Sequence, residues 1–303
     1  MNVTSIVLNW NRRDDTLACL ASLERQEVGS GRHRIMLVDN GSTDGSTEAA
    51  RRVFAAIDVL ELPRNVGYAA GYNAGIDRAL ARGADATLLV NNDTVAQPGL
   101  VEGLIVASRE RGVGMAAPTV LHHDDPERVW PSAGWRRRST LAAFDTTADP
   151  PSDEAYDVDW ASGCCLLVRR ELWESVGRFD ERFFFYYEDH DLCLRAKAAG
   201  WRIVHVPRAR ILHRVARSTG EGSPRQAYLL ARASVPYYAK HAHGPHRLLI
   251  AAYRTGSTAR SVSEALAAGR PRVAAAYLRG TADGLADLAR DLTRRAAARR
   301  TAA

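Results

Sequence analysis

Four short apolar runs, each followed at once by polar side chains, constrain this chain more than any other feature. Thr4 to Leu8, Arg34 to Asp39, Ile57 to Leu62 and Ala86 to Val90 are rich in Val, Ile and Leu and too short for helices. Such runs read as strands buried on both faces. Helical spacing fills the intervals: Arg13 to Arg25 carries Leu17, Leu20 and Leu23, a helix leaves the Asn40 to Ser46 turn toward Phe54, and Val66 to Ala81 forms a third. Pro98 suits the first turn of a helix running to Arg111. Strands alternating with helices predict an α/β fold with a mostly parallel central sheet and helices on both faces. Ligands bind such sheets beyond the carboxyl ends of the strands. There the sequence places Asn9 and Asn11, then Asp39, then Asn65, then Asn91, Asn92 and Asp93.

The remainder departs from this pattern. Residues 122–156 hold Pro126, Pro131, Pro150, Pro151 and the run Arg136-Arg137-Arg138, and read as a long, partly ordered excursion. Apolar strands resume at Cys164 to Val168 and at Arg202 to Val206, the latter followed by a short loop before His213. After Pro224 the chain turns helical and rich in Ala and Arg. The expected division is therefore a domain over 1–224 and a basic, mostly helical C-terminal extension over 225–303. Net charge is +6 for the chain, but the extension has 14 basic and 4 acidic residues, a net of +10, against −4 for the rest. No nucleic-acid-binding motif accompanies that charge, so nucleic acid is not an expected partner. Anionic lipid or a phosphorylated lipid substrate fits it, as does a merely solvated helix face. The four cysteines, Cys19, Cys164, Cys165 and Cys193, form no C-x-x-C pair, which favours a reducing compartment. No signal peptide and no long apolar span is evident, so the expected location is cytoplasmic, with peripheral contact at the inner face of the membrane through the basic tail.

Three clusters carry chemistry. In Leu89 to Thr94 a buried strand ends in Asn91-Asn92-Asp93. One carboxylate among amide and hydroxyl oxygens suits Mg²⁺ or Mn²⁺, and equally suits the N-cap of a following helix. In Phe179 to Arg195, the acids Glu188, Asp189 and Asp191 follow five aromatics, Phe183 to Tyr187. An aromatic wall beside a carboxylate can poise a general base, whereas acids at a helix start also complement its dipole. Both hold if Glu188 and Asp191 serve the helix, pairing with Arg195, and Asp189 faces the cleft. Gly67, Gly71 and Gly75 recur every fourth residue, which permits close approach to a diphosphate or, more simply, close packing of helix on sheet.

Taken in order, these pieces resemble the family 2 glycosyltransferases, in particular their non-processive, rhamnosyltransferase-like branch. The matching segments are S-I-V-L-N-W-N-R from Ser5, V-D-N-G-S-T-D-G-S from Val38, N-V-G-Y-A-A-G-Y-N-A-G from Asn65, and L-V-N-N-D-T from Leu89. Then come D-W-A-S-G-C-C-L-L-V-R-R from Asp159, G-R-F-D-E-R-F-F-F-Y-Y-E-D-H-D-L-C-L-R from Gly177, and A-G-W from Ala199. The resemblance covers Val3 to Arg214 and implies the GT-A fold. It implies that Asp39 accepts a hydrogen bond from the imide of uracil or thymine. Asn91-Asn92-Asp93 stands for the D-x-D motif, with Asn in place of the first Asp, and its last residue binds the metal. His213 is the second implied metal ligand and Asp189 the implied catalytic base. Asn9, Asn11, Asn65, Asn73 and Asn92 join Asp39 as expected donor-binding residues, and Trp160, Glu188 and Asp191 as acceptor-side residues.

The expected function is an inverting, Mg²⁺- or Mn²⁺-dependent glycosyltransferase. It moves a sugar, such as the deoxysugar L-rhamnose, from a dTDP- or UDP-sugar to a hydroxyl of a glycolipid, polysaccharide or small natural product. The alternatives are a nucleotidyltransferase, disfavoured by Asn9-Trp10-Asn11-Arg12-Arg13 where a Gly-rich loop would stand, and a non-catalytic sugar-nucleotide-binding protein. A processive synthase is disfavoured because the sequence has no membrane span and no Q-x-x-R-W motif. Oligomeric state is left open.

Overall fold

The four apolar runs form strands β1 (Asn2–Asn9), β2 (Arg32–Asp39), β3 (Asp58–Glu61) and β4 (Ala86–Asn91) in the computed structural model, which describes residues 1–214, 220 and 222–301. They pair parallel in the order β4-β1-β2-β3. Between them lie α1 (Arg13–Glu24), α2 (Ser46–Val53) and α3 (Tyr68–Ala81). The chain continues through β5 (Thr94–Ala96), α4 (Leu100–Ser108) and β6 (Val113–His122). Short strands follow: β7 (Val129–Trp130), β8 (Ala133–Arg136), β9 (Ala143–Asp145), β10 (Tyr156–Val158) and β11 (Trp160–Ala161). Next are β12 (Cys165–Arg169), α5 (Arg170–Val176), α6 (Glu188–Ala198) and β13 (Arg202–His213).

One sheet runs β10-β13-β6-β12-β4-β1-β2-β3, with β5 added on β13 and β7 on β6. β12 lies antiparallel between β4 and β6, while β13 is parallel to β6. The sheet is thus mostly parallel, with α1 and α4 against one face and α3 against the other. Val3, Val7 and Leu37 pack with Cys19, Leu20, Leu23, Leu100, Leu104 and Ile105 in one core cluster. Each such aliphatic side chain contributes about 1.5–3 kcal/mol when fully buried.

Three local features differ from expectation, the first being β6, a ten-residue central strand over a stretch where no element was expected. The strand expected at Arg202 to Val206 does not stop before a loop. It runs on to His213, and the intervening residues form a bulge between Val206 and Arg210 that keeps both halves paired to β6. A bulge absorbs extra residues without ending the ladder, and here it carries His213 to the sheet end. The excursion is also more ordered than its composition suggested. β8 pairs with β9 and β11 in a separate three-stranded sheet.

The chain forms two compact units. The first takes in Met1–Arg136, Ala143–Phe184 and the chain from Glu188 through β13. The second takes in Arg137–Ala142, Phe185–Tyr187 and three helices, α7 (Pro224–His241), α8 (His246–Ala267) and α9 (Pro271–Thr301). Residues 302 and 303 of the expected extension lie outside the described residues. In the second unit Ser223 caps α7 by accepting from the Gln226 N–H at 3.1 Å, with Pro224 in the first turn. Gly280 and Gly284 let α9 approach α7 closely, since a Cβ at either would lie 2.3 or 2.7 Å from the carbonyl oxygens of Tyr228 and Arg232. The Tyr228 hydroxyl donates to Asp283 at 2.9 Å and Arg232 to Asp287 at 2.8 Å, fixing the register of the pair. Arg254 of α8 lies 4.7 Å over the Tyr238 ring and donates to Ser234 Oγ at 2.8 Å. Tyr186 and Tyr187 both have φ near 70°, a costly conformation for aromatic residues, and Tyr187 is held against Tyr237 at 4.9 Å between ring centroids.

The glycines of α3 settle as packing residues. A Cβ at Gly75 would lie 2.8 Å from Cγ2 of both Ile6 and Val38, and one at Gly71 would lie 2.7 Å from Leu8 Cδ1. Gly75→Val is therefore expected to destabilise the fold by about 2–3 kcal/mol through overpacking. The shift of the urea midpoint measures it, and an unchanged midpoint would remove the close-packing argument.

Candidate functional site

The site is built on the carboxyl ends of β1, β2 and β4, and Asn9 is its hub. As the last residue of β1 it is fully buried, so its amide must find partners inside the protein. Its Nδ2 donates to Asp39 Oδ1 at 3.0 Å and Ser42 Oγ at 3.1 Å. Its Oδ1 accepts from the Thr16 hydroxyl at 2.8 Å and from Asn92 Nδ2 at 2.9 Å. Asp39 Oδ2 accepts from the Ser42 N–H at 3.0 Å, closing the turn after β2. Asn11, at φ 60°, accepts on Oδ1 from the Thr43 N–H at 3.0 Å. Asn65 Oδ1 accepts from Asn40 Nδ2 and the Gly67 N–H, which shapes the loop into α3.

Asn73 is placed differently. Its amide donates to the Phe179 carbonyl and to Glu181, each at 3.0 Å, and accepts from the Phe179 N–H at 3.0 Å. It clamps α3 to the segment before α6.

Asn92 and Asp93 make a two-residue turn from β4 into β5, so the residues after Asp93 form a strand and Asp93 is no helix N-cap. β5 pairs antiparallel with β13, setting Thr94 opposite His213. That register brings His213 Nε2 to 3.3 Å from Asp93 Oδ1, with both side chains buried. Burial disfavours the imidazolium, but Cys164 and the Asp93 carboxylate outweigh it and push His213 up to about 10. Nδ1 of His213 is buried without a hydrogen-bond partner, and the Trp130 ring packs edge-on at 5.2 Å.

Asp189 stands in the first turn of α6, half-buried. Its Oδ2 accepts from the Gly163 N–H at 3.0 Å and its Oδ1 from the His190 N–H at 2.7 Å. The acid pushed strongly up is its neighbour Glu188, by burial and by the Asp189 charge, and its Oε2 has no hydrogen-bond partner. Asp191 is fully buried and ion-paired with Arg195 at 2.9 Å. Arg195 also donates to the carbonyls of Val176 and Arg178 at the end of α5, so Asp191 supports the helix, as its spacing suggested. Trp160 lies 5.1 Å from the His190 ring and donates to the Phe144 carbonyl at 3.2 Å. Burial lowers His190 to about 4, and Arg136 Nη2 lies 3.0 Å from its Nδ1.

Tyr68 joins the two halves of the site. Its hydroxyl donates to the Gly163 carbonyl at 2.7 Å and lies 3.4 Å from Asn91 Oδ1, while the Gly163 N–H holds Asp189. Hydrogen bonds therefore link Asp39, Asn9 and Asn92 on one side to Asn91, Tyr68, Gly163 and Asp189 on the other, through the peptide between Asn91 and Asn92. Thr16, Ser42, Tyr68 and Gly163 are not among the residues expected at the site from sequence. The last three sit inside the quoted motifs, which was their only signal. Thr16 had none beyond its place one turn into α1.

A family model described as "glycosyltransferase like family 2" matches residues 2–228. The chain belongs to this family. It is a glycosyltransferase of the rhamnosyltransferase-like kind, with the GT-A fold. It is 35% identical over 212 residues to the N-acetylglucosaminyl-diphospho-decaprenol L-rhamnosyltransferase of Mycobacterium tuberculosis, covering 61% of this chain and 68% of that protein. It is 22% identical over 215 residues to the dTDP-rhamnosyl transferase RfbF of Shigella flexneri, covering 71% and 69%. In fold it is similar to the mannosyltransferase PcManGT from Pyrobaculum calidifontis in complex with GDP-Man and Mn²⁺, with a TM-score of 0.62 and 16% identity over 94% of this chain and 87% of that one.

Asn9→Ala is expected to cost about 3 kcal/mol or more, because it strands Asp39, Ser42, Thr16 and Asn92 without a shared partner. Urea unfolding measures the loss. A cost below about 1 kcal/mol would show that Asn9 does not tie the strand ends together.

Proposed function

We propose that this glycosyltransferase moves L-rhamnose from a dTDP-sugar, with inversion, to a hydroxyl of a lipid-linked sugar diphosphate. The observation that carries the reading is the placement of Asp93 with His213 and of Asp189 along one hydrogen-bonded strand-end network. The rhamnosyltransferase relatives support the donor and acceptor class.

Asp39 keeps unused lone pairs while Asn9 and Ser42 fix its orientation, which suits acceptance of a base imide N–H. Asn11, Asn65 and Asn92 shape the donor side through the turns they hold, and Asn73 acts at one remove by clamping α3.

Asp93 and His213 fit a divalent cation. A carboxylate oxygen and an imidazole nitrogen already 3.3 Å apart would supply two donors of the kind Mn²⁺ or Mg²⁺ accepts, with the cation taking the place of the His213 proton. No group of three or more His, Cys, Asp or Glu among the described residues is arranged to hold a metal ion, so diphosphate oxygens and water would complete the shell. When bound, the cation neutralises charge on the departing diphosphate.

Asp189 takes the proton of the acceptor hydroxyl, and the oxygen attacks the anomeric carbon opposite the leaving diphosphate. One displacement turns a β-linked donor into an α-linked product. The Gly163 and His190 N–H groups orient the base, and the raised pKa of Glu188 favours its protonated form, so a second charge does not compete. Trp160 and Glu188 lie on the acceptor side in this reading, with Asp191 behind them as support. We assign transfer to residues 1–224 and read 225–303 as an extension whose +10 charge favours an anionic lipid surface carrying the acceptor. No helix among the described residues is long and apolar enough to cross a membrane.

Turnover with dTDP-L-rhamnose, tested against UDP- and GDP-sugars with Mn²⁺ and a diphosphate-linked N-acetylglucosamine acceptor, tests the whole reading. Asp189→Asn is expected to lower kcat by about 10²–10⁴-fold with donor affinity nearly unchanged. Survival of kcat would displace the base. Asp93→Ala is expected to abolish Mn²⁺ binding, followed directly by paramagnetic resonance titration, and chelator to abolish wild-type transfer. Full activity in excess chelator would remove the metal from the reaction.

A further inference from the structure

α9 presents to solvent a face with a seven-residue repeat. Ala275, Ala282 and Ala289 alternate with Leu278, Leu285 and Leu292 at steps of three and four, and all six are exposed. The leucines are 51%, 55% and 58% exposed, although α9 buries its opposite side against α7 and α8 within the same unit. An apolar residue at two positions in seven is the seam of a helix pair and is narrower than the broad apolar face of a helix lying in a bilayer.

We propose that this face of α9 pairs antiparallel with α9 of a second copy of this chain. The residue sizes select the orientation. In an antiparallel pair each layer joins a position of the first kind to one of the second, so Ala282 of one copy meets Leu285 of the other, Leu278 meets Ala289, and every layer holds one Ala and one Leu. A parallel pair would alternate Ala–Ala with Leu–Leu layers, thin beside thick, and pack less evenly. Charge agrees. In the antiparallel register Arg279 lies across from Ala286 and Arg272 across from Thr293, so no like charges face each other. Arg279, which flanks the seam, lies 3.9 Å from Asp283 of its own helix. The seam spans 18 residues, about 26 Å of helix, so the interface is small and the dimer concentration-dependent.

Sedimentation equilibrium of the full chain across the micromolar range is expected to show a monomer–dimer equilibrium. Leu285→Asp, at an exposed position, is expected to weaken it by about a hundredfold or more with the circular dichroism spectrum unchanged. Under mild oxidation, a mixture of Leu278→Cys and Ala289→Cys chains is expected to form the mixed disulfide. Leu278→Cys alone is not expected to cross-link to itself, because its two copies would lie about 16 Å apart along the axis. The four native cysteines are buried and do not compete. A monomer at every concentration overturns the proposal, including one whose binding to anionic vesicles is lost in Leu285→Asp, since that outcome assigns the seam to lipid. A dimer indifferent to Leu285→Asp, or a Leu278→Cys homodisulfide, overturns it as well.

Discussion

The buried amide of Asn9 is the interaction on which the site depends. A parallel sheet leaves each strand end as a loose carboxyl terminus, and nothing in the ladder fixes how the following loops sit relative to one another. Asn9 supplies that restraint with one side chain, holding the turn after β2, the first turns of α1 and the turn after β4. An amide suits this task because it offers two donors and two acceptor lone pairs in one plane. A carboxylate would lose the donors to Asp39 and Ser42, and an aliphatic residue would lose everything.

The second half of the site depends on strand register. His213 is 120 positions from Asp93 in sequence, and only the β5–β13 pairing brings them together. The bulge between Val206 and Arg210 is part of that mechanism, since it sets how far along the sheet β13 reaches. A change in the bulge would move His213 without touching any residue of the site, which makes the Ala209 region a remote determinant of its geometry.

How much of this was legible depended on length and repetition. The strands at Thr4, Arg34 and Ala86 were readable because both faces of each are buried, which leaves continuous apolar runs. β5, β7, β8, β9 and β11 were not, because two to four residues carry no period, and neither was the ten-residue β6, whose apolar run is broken by Gly114 and Pro118. The β13 bulge has the sequence of a loop, because Pro207 and the charged residues Arg208 and Arg210 interrupt the apolar run, although the ladder resumes beyond them. The site residues were legible as types and positions, while their duties were not. Asn9, Asn65, Asn73 and Asn11 all looked like ligand-facing amides at strand or helix ends. The structure spends Asn9 and Asn73 on the protein itself, because a sequence shows that an amide is present but not which way it is turned. The acids after the aromatic run were legible in the same partial sense. The Asp191–Arg195 pairing followed from helical spacing, but the strongly raised carboxyl is Glu188.

The C-terminal unit follows a different logic. Its inner face is specified by small residues, with Gly280 and Gly284 against α7, and by the Tyr228–Asp283 and Arg232–Asp287 contacts. Those interactions, with the contacts to α8, cover the inner side of α9 and would suffice for a three-helix unit with a polar outer surface. Leucine at every seventh position on the outer face adds nothing to that packing, and exposed leucines in register carry a solubility cost. The composition alone, rich in Ala and Arg, gave no hint of it, because the pattern becomes meaningful only once the structure shows which side of α9 is already covered. A periodic apolar seam left outside a completed hydrogen-bonded helix pair is best understood as a surface shaped for another helix, and the Ala–Leu alternation restricts which helix and which direction fit.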